Sequence, residues 1–578
     1  MRTRAWWVLS VVTVLTMGAC SGGAAKPAAT AAGSGDAAFT ALATEILEDY
    51  YQRNPTSATD LGIHKYDDKL EDYSAAAVAS EVTALKAFRA RLEAIAPSTL
   101  TLDRQLDREQ LIHSIDGTLL QDEVIKPWAK DADNYSSGIT NTAYVMIKRT
   151  FAPPEERLAK LIARMKLMPA VLAEARKNLT AAPKIYTEIA IEQIDGNASL
   201  FSGAVTEAFA DVKDQTLQSQ FKSTRDEVLA ALSSYKTWLQ KDLLPRSTSE
   251  FAYGADTYRK RLWADEMIDR PLEDLLAMAE QDLKKNQAAF AEVAKKIDAK
   301  KPAMQVLADL EKDHPPADKL LATTQSELDA LAKFMTDKHI ITIPSAAPAR
   351  VKETPPFMRA TTSASMDIPG PFERSASEAY YNMTLPDPKW PAAEREAFMN
   401  QWYYAAITNV SVHEVWPGHY LQFLYAKQYP SDVRKVFGAA TNSEGWAHYC
   451  EQMVQDEGFH ADDPRYRLAQ IQDALLRDAR FVVGIKMHTQ GMTMKQAEEF
   501  FQKEGYQPAA VARSETKRGT SDATYGYYTM GKLMIMELRE AYKTRMGADY
   551  SLQKFHDTFI KVGPLPIPLV RRAIGLGQ

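Results

Sequence analysis

Residues 411–423 read SVHEVWPGHYLQF, and the path of the backbone through them decides how the surrounding elements must be arranged. Glu414 follows His413 directly, but the next histidine comes only at His419, and Pro417 stands where one helix would have placed it. On an unbroken helix the two imidazoles would lie about 120° apart around the axis and about 9 Å apart along it, too far to meet one ion. Pro417 cannot donate to the carbonyl of His413, and Gly418 tolerates backbone conformations closed to other residues. The spacing and the helix breaker explain each other. A bulge or wide turn at Pro417 and Gly418 is expected to swing His419 back towards His413.

Three of the ten histidines, His413, His419 and His448, fall in this part of the chain, together with Glu414, Glu444 and Glu451. A zinc hydrolase requires three protein ligands and one open position, with ligand nitrogens about 2.0–2.1 Å from the metal. The third ligand is expected from a second helix in TNSEGWAHYCEQM, residues 441–453, with Asn442 or Ser443 as its cap. Glu444 and His448 stand four apart on one face, so either can ligate while the other hydrogen-bonds behind it; spacing alone does not choose. Glu414 lies where it could take a proton from an activated water.

The 578 residues are 45% hydrophobic and 25% charged, an ordinary soluble composition with enough chain for an extensive core. The start, MRTRAWWVLSVVTVLTMGAC, has basic Arg2 and Arg4, a short apolar run, and small residues before Cys20. It reads as a lipoprotein-type signal over residues 1–19, with Cys20 as the lipidated first residue of the mature chain. A flexible Gly/Ala/Ser-rich tether follows over 20–36. The protein is thus expected to be exported and held at a membrane through Cys20, facing the periplasm or the cell exterior. Removal of the signal takes the formal charge from −6 to −8. No basic patch marks a nucleic-acid partner. Cys450 is the only other cysteine, and it reads as a small buried residue.

From 37 to 338 the apolar spacing is helical, as in Leu276, Ala279, Leu283, Phe290, Val293 and Ile297. Pro153 and Pro154 precede an acidic first turn and open another helix. Near 339 the pattern changes: HIITIP, ARVKETPPFMRATTSASMDIPGPF and EAYYNMTLP are β-branched or aromatic and broken by Pro and Gly, so a small sheet is expected there. EAYYNMTLP is read as an edge on which a peptide could add as a strand. Helical patterning resumes near Pro391, and 339–578 is read as the metal-site part of the same domain as 37–338.

HEVWPGHYLQ followed by EGWAHYCEQ resembles the bacterial family catalogued as domain of unknown function 885, whose pattern is His-Glu-x-x-Pro-Gly-His and then Glu-Gly-Trp-Ala. The likeness extends to PGPFE, RGTSDATYGYYTMGKLMIMELRE and FHDTFIKVGPLPIPLVRR, and more loosely to LGIHKYDDKL. That family in turn resembles the helical zinc peptidases of the gluzincin type, such as thimet oligopeptidase, angiotensin-converting enzyme and thermostable carboxypeptidases. The resemblance implies a mainly α fold with a small antiparallel sheet lining a deep active-site cleft. It implies His413, His419 and Glu444 as ligands of one zinc ion, Glu414 as the base, and His448 behind the ligands. Tyr528 matches the family tyrosine that would donate to the oxyanion, with Tyr525 and Tyr527 as alternates, and Arg518 could hold a substrate carboxylate. The expected activity is zinc-dependent hydrolysis of short or unfolded peptides. A solute- or metal-binding lipoprotein without turnover and a zinc amidase for cell-wall peptides are the alternatives.

Overall fold

A computed structural model describes residues 33–577 except 346, 348, 355–358, 360, 361 and 377. The signal, Cys20 and the first part of the tether lie outside the described residues. The tether's last residues are already tied down, because Gly33 and Gly35 both donate their N–H to the carbonyl of Thr99 at 2.9 Å and the first helix, Asp36–Arg53, begins at once. No helix among the described residues is long and apolar enough to cross a membrane.

The architecture is mainly helical with one small sheet. Helices between residues 133 and 243 enclose a core that includes Tyr135, Leu158, Leu232 and Tyr235. The helix Leu272–Ile297 buries Ala279, Leu283 and Phe290 against Leu468, Leu475 and Val482 of the long helix Pro464–Thr489. A third core contains the sheet, Trp402, Trp446 and Phe555. Pro153 and Pro154 do open a helix, which runs Pro154–Met165.

The sheet holds β1 (Ala349–Glu353), β2 (Ala364–Asp367) and β3 (Ala379–Met383) in the order β1-β3-β2. It is mixed, not antiparallel as expected: β3 runs parallel to β1 and antiparallel to β2. The chain between β1 and β3 is long enough for the crossover that a parallel pair needs. The EAYYNMTLP segment supplies β3, so it is the central strand with both sides paired, and Tyr381 and Met383 are fully buried. The reading of that segment as a free edge is therefore corrected; β1 and β2 are the edge strands.

The two halves of the chain interlock. Buried Arg434 donates to Asp107 at 2.7 Å and to Asp103 at 2.9 Å, and Arg149 donates to Asp367 at 2.6 Å. His64 stands between Asp67 and Glu373 at 3.1 and 3.0 Å, while Phe372 N–H donates to the carbonyl of Leu61. Burial alone would lower the His64 pKa, but the two carboxylates outweigh it and raise it. LGIHKYDD and PGPFE are thus two sides of one contact.

The helix Ala440–Asp456 and the helix Tyr527–Met546 touch through backbone at Gly445 and Gly531. A Cβ on Gly531 would lie 2.1 Å from the carbonyl oxygen of Thr441, and one on Gly445 would lie 2.6 Å from the backbone of Gly531. Glycine inside a helix costs about 1 kcal/mol relative to alanine, so this contact explains two otherwise unfavourable residues. Gly531→Ala is expected to destabilise the protein by about 1–3 kcal/mol through overpacking. Gly196→Ala, in a helix where an added Cβ meets nothing within 4 Å, should instead stabilise it. Chemical denaturation of the two variants should give shifts of opposite sign, and a shared sign would refute the close approach.

Candidate metal centre

The helix Tyr404–Glu414 buries Ala405, Ile407 and Val412 and stops at Glu414. Continuation is blocked because the Pro417 ring would strike the carbonyl of His413. Instead the N–H groups of Val415 and Trp416 donate to the Ser411 carbonyl, and Gly418 N–H donates to Val412 at 3.0 Å. A Cβ on Gly418 would lie 1.8 Å from the His413 carbonyl oxygen, so only glycine fits this return. The Trp416–Pro417 peptide is cis. A new helix, His419–Ala426, then begins at the second histidine itself. The expected bulge is thus a full break between two helices. Trp446 holds the break in place, its Nε1–H donating to the Pro417 carbonyl at 2.8 Å while its ring stacks on Phe559.

The break brings the imidazoles of His413 and His419 together, with ring centroids 4.8 Å apart and planes at 87°. Glu444, from the helix Ala440–Asp456, places Oε2 3.4 Å from His413 Nε2 and 3.3 Å from His419 Nε2. One donor atom from each of the three residues lies within 4.8 Å of the others. His448 does not join them. It is fully buried, and its Nδ1 lies 3.1 Å from Glu451 Oε2.

Glu451 organises the far side of the cluster. His413 Nδ1–H donates to its Oε1 at 2.7 Å, and Arg477 of the helix Pro464–Thr489 lies 3.0 Å from the same oxygen. Burial would raise the Glu451 carboxyl, but Arg477 and the two imidazoles hold it well below the usual carboxylate range. Burial likewise opposes a charge on His413, yet Glu444 and Glu451 keep its pKa up at about 10. His448 is driven the other way, to about 3, chiefly by burial.

A tetrahedral centre with metal–donor bonds of about 2.0–2.1 Å has its donor atoms about 3.3–3.4 Å apart. Both histidine nitrogens stand at that separation from Glu444 Oε2, which is buried and has no hydrogen-bond partner of good geometry among the described residues. With Nδ1 of His413 tied to Glu451, Nε2 is left as the donor. The three residues could hold a metal ion with one side open, two of their donor separations being tetrahedral and the third within 4.8 Å.

That side opens on a cleft of about 500 Å³ lined by Glu414, His419 and Glu444 together with β2 and the loop after it. Glu414 shares the cavity without belonging to the donor set. Tyr528, 8% exposed and not among the residues that line the cleft, lies with its ring 6.3 Å from that of His413 at 29°, boxed in by Arg477, Arg480 and Arg518. Tyr527 OH donates to Asp522 at 3.0 Å, and Tyr525 is fully buried in packing away from the cleft. Arg518 is engaged by Asp522 and Tyr527 and does not line the cleft with His419 and Glu444.

Several contributors had no clear sequence signal. Arg477 is one more basic residue in a long helix, and Glu266 lies far away at residue 266. Yet the Glu266 carboxylate accepts from Ala440 N–H and Thr441 N–H at 3.0 Å each, capping the helix that carries Glu444. The expected cap at Asn442 or Ser443 is corrected accordingly: the helix starts at Ala440, before both, and Asn442 instead donates to the carbonyl of Leu565. Burial pushes the Glu266 carboxyl up to about 7.

Fold and site together define a mainly helical protein with a histidine–histidine–glutamate cluster at the floor of a cleft. The chain belongs to a family of bacterial proteins of unknown function, DUF885, whose family model matches residues 55–574. A solved structure from Shewanella oneidensis, provisionally classed as a lipoprotein of unknown function, is 27% identical, with 92% of this chain and 99% of that one covered at a TM-score of 0.78. Another from Colwellia psychrerythraea, also provisionally classed as a lipoprotein, is 18% identical, with 94% and 99% covered at a TM-score of 0.80, a likeness of fold. No curated protein matches the chain.

Proposed function

We propose that this protein is a zinc-dependent peptidase acting on short or unfolded peptides outside the cytoplasm, held at a membrane through Cys20. The observation that carries the reading is the donor spacing: two imidazole nitrogens stand 3.3 and 3.4 Å from one carboxylate oxygen, beside a cleft that Glu414 also lines. The lipoprotein-type start of the sequence and the provisional classing of both similar structures support the location.

Zinc, when bound, lowers the pKa of water and polarises a carbonyl oxygen. Glu414 takes a proton from the water as its oxygen bonds to the peptide carbonyl carbon, and returns it to the amine when the C–N bond breaks. The Tyr528 hydroxyl donates to the oxyanion, with its ring held by the three guanidinium groups packed around it. Glu451 fixes the tautomer and direction of His413.

Elemental analysis of the purified full-length protein should find about one zinc per chain, and changing His413 and His419 to Ala should remove it. Mass mapping of a peptide mixture should show cleavage that a chelator stops and zinc restores. Muropeptides run alongside identify an amidase if they alone are cut. Protein that stays metal-free under zinc-replete conditions would overturn the proposal.

A further inference from the structure

Eight large apolar side chains are exposed among the described residues, and Phe423 is the one that lines the cleft. It is 44% exposed, while Leu421 and Tyr425 of the same helix are buried in the core. Burial of a phenylalanine stabilises a fold, so an exposed one at this position forgoes stability. Isolated exposed apolar residues are common on any surface. Phe423 differs from the other seven by its place.

His419 is the first residue of its helix and Phe423 stands one turn further on, so the two share a face with Cβ atoms about 5–6 Å apart. Met366, Ile368, Pro369 and Pro371 of β2 and the following loop line the same cavity. Its charged side chains are largely paired: Lys148 with Asp60, which lines the same cavity, Asp367 with Arg149, Arg434 with Asp107, and Lys435 with Asp432. Apart from Glu414, Gln422 and Ser443, what stays open beside the metal donors is apolar.

We propose that Phe423 and the loop at 366–371 form a specificity subsite that receives a large apolar side chain flanking the bond to be cleaved. The inference rests on the peptidase reading and deepens it, by naming apolar-flanked peptides as the preferred substrates. An apolar side chain entering there covers Phe423 and displaces water from both walls, whereas an aspartate would lose hydration beside lysines and an arginine that, among the described residues, are already paired.

The test is a competition within one peptide mixture, identical except for Leu, Phe, Gly or Asp beside the cleaved bond, with the zinc-loaded full-length protein. Ratios of cleavage rates inside one mixture do not depend on how much of a variant is active, so a folding defect cannot imitate a change of preference. The unmodified protein is expected to favour Leu and Phe over Asp by about tenfold or more; Phe423→Ala should cut that ratio by about tenfold, and Phe423→Leu should keep most of it. An unchanged ratio in Phe423→Ala overturns the subsite, as does an unmodified protein that cleaves without apolar preference, and both outcomes leave the peptidase reading standing. Failure of the unmodified protein to cleave any peptide overturns that reading and the subsite with it.

Discussion

Glu414→Gln protein should keep its zinc and lose peptide hydrolysis by about 10²–10⁴-fold, the range expected for removal of a general base. The substitution preserves size and leaves His413, His419 and Glu444 untouched, since Glu414 is outside the donor set while lining the same cleft. An amide oxygen can still accept a hydrogen bond from water, but it cannot hold the proton that must leave. The expected pattern is therefore a fall in kcat with metal content unchanged. Equal rates for Glu414→Gln and the unmodified protein would remove Glu414 from the mechanism. Loss of zinc would instead make it a ligand, contrary to the geometry.

The second large effect is on the framework behind the ligands. Glu451→Ala would leave buried Arg477 with only the more distant Asp473 carboxylate, at 3.9 Å, and would take the acceptor from both His413 and His448. Breaking one side of a buried pair costs about 3–5 kcal/mol, most of it the penalty of the stranded charge. Freed of its acceptor, His413 would no longer be held with Nε2 forward, and zinc affinity should fall by about 10–100-fold. Denaturant titration of the metal-free protein reads the first effect, and competition with a chelator reads the second. Glu451→Gln keeps an acceptor but not the charge, so it should fall between the two. A neutral Glu451→Ala would mean that Arg477 is not anchored as described.

The helical class, the small sheet and the convergence of His413 and His419 were legible because each leaves a local mark: apolar residues at helical spacing, a run of β-branched and Pro-rich segments, and a Pro-Gly pair between two histidines. The direction of the strands left none. Whether β3 runs with or against β1 depends on how the intervening chain crosses the sheet, and EAYYNMTLP reads alike as an edge or as the centre. The choice between Glu444 and His448 was equally closed to spacing, as both lie on one helix face; the axial position of the helix decides it, and that is set by Gly445 against Gly531 and by Glu266 at its start. Arg477 and Phe423 belong to the same class of residue. Their roles come from what other elements bring beside them.

The pairing of Arg434 with Asp107 has a consequence for how the molecule comes into being. The partners are 327 residues apart in sequence, and both are buried. A chain that emerges N-terminus first presents Asp107 long before the guanidinium of Arg434 exists, and until then the carboxylate has Arg104, one turn earlier on the helix Leu102–Leu120, as its partner at 3.0 Å. Two pieces separated near residue 339, where the composition changes, would part Arg434 from Asp103 and Asp107 and open that buried contact to water. The one place where the sequence looks like two is thus bridged, in the fold, by a buried ion pair.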